Sequence, residues 1–171
     1  MSVLPPPDGD RQDPLKIHHD HVDITRVSMP AVSTSPTGAP STRDLTAAMH
    51  ELLDHVVGHV PGVVGAVVSS ADGFALASRL PTDAPADAAS VAAMSAALVG
   101  LSNRLLHTVS PDPARALELR SEGAHGYVFA VGNAATLTLL AAPESERSQV
   151  MAVGREVTAG LLRLLRTPGV D

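Results

Sequence analysis

Three sets of side chains in this 171-residue chain have the types and spacing that could do chemistry. Ser69, Ser70 and Asp72 lie close together, and with His125 they supply the parts of a Ser-His-Asp hydrolase. No Gly-x-Ser-x-Gly elbow presents either serine, and Asp72-Gly73 is explained as a tight turn, since that pair accepts the positive φ that such turns demand. His55 and His59 stand at i, i+4, a spacing that can put two imidazoles on one metal. The residues between them, Val56-Val57-Gly58, lack the glutamate that a hydrolytic zinc helix carries beside its first histidine, so a surface pair is expected. His18, His19 and His21 cluster with Asp20 and Asp23, but a stretch without preorganisation grips a metal poorly. The expectation is therefore no catalytic residue, no metal and no cofactor.

The rest of the composition narrows the class further. Lys16 is the only lysine, so the folded region has neither a P-loop lysine nor a Schiff-base lysine. Cysteine is absent, which removes disulfides, thiolate nucleophiles and cysteine zinc sites and fits a reducing, cytoplasmic setting. The start, Met1-Ser2-Val3-Leu4-Pro5-Pro6-Pro7, has neither the basic head nor the apolar run of a signal peptide. Net charge is -6 and the basic residues form no stripe, so no nucleic-acid partner is expected. Only Phe74, Tyr127 and Phe129 are aromatic, which leaves Ala, Val and Leu to build the core.

Those side chains have to be positioned by elements that the pattern makes visible. Residues 1–41 hold seven of the 14 prolines and no apolar period, so a disordered Pro-rich tail is expected there, with 168–171 as a short C-terminal end. The folded domain is placed at 42–167. Ser41 and Asp44 have the spacing of a capping box, and Leu45, Met49, Leu52, Leu53, Val56, Val57 and Val60 follow at helical spacing until Pro61-Gly62. Val63 to Ser70 is a β-branched strand run, and Phe74 to Ser78 is its return strand. Asp87 opens a second helix. Ala116 to Ser121, Gly126 to Val131 and Thr136 to Ala141 read as three more strands, and a last helix runs from Glu144 or Ser145 to Arg166. The order α-β-β-α-β-β-β-α has an economical α+β solution, a five-stranded antiparallel sheet with helices on its faces.

The second helix is unusual. Ala88 to Asn103 carries no charge over 16 residues, too short and too rich in Ala and Ser for a membrane span, so no membrane insertion is expected. Val91, Met94, Leu98, Leu101 and Leu105 form a heptad-like seam, with Ala93, Ala97 and Gly100 on a neighbouring small-residue face. A helix apolar all round needs two covers. One is its own sheet and the other a second copy of the chain, whose interface is assigned to Val91, Met94, Ala97, Leu98, Leu101 and Leu105, with Asn103 and Arg104 as a polar rim. Which of the two faces meets the partner stays open from the pattern.

The run from Pro61 to Ser78, the Ala92-Ala93-Met94 and Leu98 region, Gly126-Tyr127-Val128-Phe129-Ala130-Val131-Gly132 and Thr136-Leu137-Thr138-Leu139-Leu140-Ala141 together resemble the roadblock/LC7 family, in its bacterial members associated with small GTPases and of actinobacterial type. The resemblance spans about Asp44 to Arg166. It implies a homodimer whose second helices meet and whose sheets join. It also implies a non-catalytic adaptor that regulates a Ras-like small GTPase in bacterial signalling, beside a sensor-kinase-like protein. The folded domain contains arginines, such as Arg79, Arg104 and Arg115, that could serve as a finger inserted into the GTPase. From another class, a small-ligand-sensing module on a profilin- or longin-like sheet predicts a sizeable pocket with a few convergent polar groups.

Overall fold

The computed structural model describes residues 41–166. The tail assigned to 1–41 and its histidine cluster at 18–21 thus lie outside them, apart from Ser41.

Each helix begins where a side chain satisfies its free N–H groups. Helix α1, Thr42–His59, starts on the expected capping box: the Asp44 N–H donates to Ser41 Oγ at 3.2 Å and the Ser41 N–H donates back to Asp44 Oδ2 at 3.1 Å. Pro61-Gly62 turns the chain into β1, Val63–Ser70. Gly62 has φ +80° there, and a Cβ on it would run into Ser145. At the other end of β1, Gly73 (φ +87°) makes the tight turn that Asp72-Gly73 foretold. The return strand β2 is Ala75–Arg79, one residue later than expected, because the N–H and carbonyl of Phe74 both bond to Ser70 and hold Phe74 in the turn.

Helix α2, Ala88–Leu106, is capped by Asp87, and helix α3, Arg147–Leu165, by Glu146. The last start is two to three residues later than the sequence pattern suggests. The Glu146 carboxylate takes the N–H groups of Ser148 and Gln149, while the Ser145 N–H closes a turn onto Ala142. Strands β3 (Ala116–Arg120), β4 (His125–Val131) and β5 (Ala135–Ala141) complete a sheet ordered β2-β1-β5-β4-β3, antiparallel throughout. The α+β fold expected from the element order is the one observed.

Alternation along the strands gives the sheet two different faces. Ala66, Val68, Tyr127, Phe129, Val131, Leu137 and Leu139 point to the face covered by α1 and α3, where they join Leu52, Leu53, Val56, Val150, Val157 and Leu161 in one sealed core. Contact there is close: a Cβ on Gly154 of α3 would fall inside the Phe129 ring. Glycine is what lets that helix lie directly on the aromatic side chain. Val67 points the other way and meets Val91 and Ala92 of α2, with Leu80 and Ala86 packed alongside.

Candidate functional site

The second face is held by hydroxyls as much as by apolar contact. Ser69 and Thr136 are cross-strand partners whose Oγ atoms are 2.5 Å apart, and Ser95 of α2 bonds to Thr138 at 2.7 Å. All four are buried. A lone buried hydroxyl costs about 1–3 kcal/mol, so pairing is the condition for placing them there. Farther along α2, Asn103 Oδ1 accepts the Ala114 N–H at 2.7 Å and ties the helix to the segment that enters β3. At the start of α2 the Asp87 carboxylate accepts the Ser90 N–H at 2.7 Å, and this bond, with that residue's side chain, holds the carboxyl below its ordinary range.

The outer side of α2 has no cover within the described chain. Met94 is 55% exposed, Leu101 61%, Leu105 71%, and Val109 just past the helix 82%. Ala93, Ala97 and Gly100 are exposed among them. Phe74, 72% exposed, belongs to the turn whose Gly73 lies against Ala93. Such large side chains spaced along one helical side form the kind of patch that marks an interaction site.

Of the six interface residues named from the sequence, Met94, Ala97, Leu101 and Leu105 face outward and Leu98 is half-buried. Val91 does not belong with them. It is 8% exposed and lies against Val67, because the first turn of α2 is the part pressed onto the sheet. Arg104 is exposed beside the stripe, while Asn103 is turned to Ala114 rather than to a rim. Among the described helices, α2 alone is long and apolar enough, by length and composition, to cross a membrane. Its inner side accounts for only part of that apolarity.

The hydrolase parts are dispersed. Ser69 is bonded to Thr136, Ser70 Oγ accepts the Phe74 N–H, and Asp72 sits exposed in the turn. In register, Ser69 pairs with Thr136 and His125 with Ala141. Five residues of β5 separate the two rows, roughly 16 Å at strand rise, and the two side chains are on opposite faces. His125, with Tyr127 edge-on to it, is buried beneath α3. His55 and His59 stack at 4.3 Å between ring centroids, and His59 Nδ1 bonds to the His55 carbonyl at 3.0 Å. Among the described residues no three or more His, Asp or Glu gather where they could hold a metal ion. Arg79 is engaged with Asp54 at 2.9 Å.

A five-stranded antiparallel sheet with two helices sealing one face, and a single apolar helix on the other, defines a small α+β domain. The sequence profile of the Roadblock/LC7 domain matches residues 49–141, more than half of the chain, and the chain belongs to that family. Among solved structures, a Roadblock/LC7 domain from Streptomyces avermitilis is similar at 23% identity and a TM-score of 0.58, over 68% of this chain and 93% of that one. MglB from Myxococcus xanthus is similar at 14% identity and 0.63, over 68% and 94%. The gliding protein MglB from Thermus thermophilus is similar at 19% identity and 0.62, over 77% and 95%. At these identities the likeness establishes the fold. No curated protein matches.

Proposed function

We propose that this chain is a non-catalytic, cytoplasmic homodimer that regulates a Ras-like small GTPase in bacterial signalling, with a sensor-kinase-like protein as a further partner. The observation that carries the reading is the outward stripe Met94, Leu101 and Leu105, set on a helix whose other side is already committed to the sheet. A second copy supplies the missing cover, and the resemblance to the bacterial family members associated with small GTPases supplies the partner. The dispersal of Ser69, Asp72 and His125 supports action without a catalytic residue. Regulation is then positional: the dimer orders the switch loops of the GTPase, with Arg104 exposed near the stripe should a cation be needed there.

Two measurements test this. Light scattering after gel filtration should give twice the chain mass for the wild type and a folded monomer for the Leu101→Glu/Leu105→Glu variant. Exchange and hydrolysis rates of the Ras-like GTPases from the same genome should change on addition of the wild type. A variant that remains dimeric would refute the interface, and GTPases that neither bind the protein nor change rate would refute the partner.

A further inference from the structure

We infer that the cavity beside Arg115 is a binding site for a small organic anion, a carboxylate or phosphate joined to a short apolar body. The cavity measures about 460 Å³ and lies between the C-terminal half of α2 and the turn end of the sheet. That volume suits a small metabolite, since ligand pockets run from about 300 to 1,000 Å³. Its space exists because the side chains around it are small: Ala96 and Gly100 on the helix and Ala130 on the sheet.

Charge decides the ligand class. Arg115 is the one charged residue lining the cavity, and among the described residues no carboxylate faces it there. A guanidinium fork matches a carboxylate or phosphate in two parallel hydrogen bonds. The residue is anchored, because its carbonyl accepts the Ala130 N–H at 3.0 Å. Asn103 adds a donor of defined orientation. Its Oδ1 accepts the Ala114 N–H, which leaves the amide NH₂ to donate elsewhere, and Asn133 contributes a second amide to the lining.

The site is independent of the GTPase reading. At 3.6 residues per turn, Ala96 and Asn103 lie on the flank of α2 opposite Met94, Leu101 and Leu105, and the exposed Gly100 lies between that flank and Ala97. Light scattering reads the dimer and a ligand titration reads the cavity, so the two proposals fail separately.

Amide-resolved NMR on the full chain, titrated with hexanoate, hexyl phosphate and hexanol, tests the site. Saturable shifts are expected around Ala96, Asn103, Arg115 and Ala130 with at least one of the two anions, and which one binds separates the carboxylate from the phosphate. Hexanol, with the same apolar body and no charge, should bind about tenfold more weakly or worse, as expected for losing a charged hydrogen bond. Arg115→Gln should cost a similar factor without lowering the melting temperature, since the side chain is exposed. Gly100→Leu should abolish binding by filling the cavity, and it should fold, because a Cβ there meets nothing within 4 Å. Hexanol binding as well as the anions, no saturable shift with any probe, or unchanged binding by either variant would overturn the assignment.

Discussion

Leu137 and Thr138 are neighbours on β5, and they face two different environments. Leu137 enters a continuous apolar core with Phe129, Leu52 and Leu161 around it, fully sealed by α1 and α3. Thr138 enters a thin layer where Val67 of the sheet meets Val91 and Ala92 of α2, with Leu80 and Ala86 alongside, and where four buried hydroxyls are paired. The first face has enough buried apolar area to hold the domain together. The second holds α2 in place with directional bonds and leaves its outer side for something else. The sealed apolar core thus lies on one side of the sheet, and the exposed apolar stripe of α2 lies on the other.

The comparison can be broken most forcefully at Leu137. Leu137→Ala should destabilise the chain by about 2–5 kcal/mol, the usual cost of a large-to-small change in a close-packed core, read as a lower denaturant midpoint with unchanged slope. Thr138→Val, one residue away, should cost less, about 1–3 kcal/mol, by leaving Ser95 Oγ buried without a partner. Adding Ser95→Ala should recover most of that loss. A Thr138→Val variant as stable as the wild type would mean that packing rather than hydroxyl pairing seats α2.

The smallest effect is acid sensitivity at the helix starts. Hydrogen bonds from Ser41, chiefly its side chain, hold the Asp44 carboxyl below its ordinary range. The Ser90 N–H does so for Asp87, and the Ser148 hydroxyl for Glu146. A carboxyl depressed in the folded state stabilises above its unfolded value and loses that contribution as pH falls through the folded one, here below about pH 4. Asp87→Asn keeps a capping side chain but removes its titration, so the melting temperature should fall less steeply between about pH 5 and pH 2 than in the wild type. Identical slopes would mean that the cap of α2 does not contribute to acid unfolding.

Much of the fold was legible because its punctuation is local chemistry. Ser41 with Asp44, Pro61-Gly62, Asp72-Gly73 and Asp87 each mark an element boundary by what the residue does to its own backbone. The boundaries that shifted, Phe74 and the start of α3, depend on bonds that compete over one to four residues, which composition does not rank. The outward stripe was half legible. Steps of three and four made Val91, Met94, Leu98, Leu101 and Leu105 one seam, yet a regular seam looks the same whether it faces a sheet or a partner. The packing of α2 on the sheet, which buries Val91 against Val67 and leaves Leu105 exposed, sorted the two.

What the sequence determined by itself is the element order, the apolar character of α2 and the scarcity of chemistry: one lysine, no cysteine, no nucleophile elbow. Each of these depends only on residue types and short spacing. The tertiary structure alone decided that Ser69 pairs with Thr136 and Ser95 with Thr138, that His125 is far from both serines, and that a cavity opens beside Arg115. Those facts join residues up to 67 positions apart, and only the register of the strands brings them together or keeps them separate.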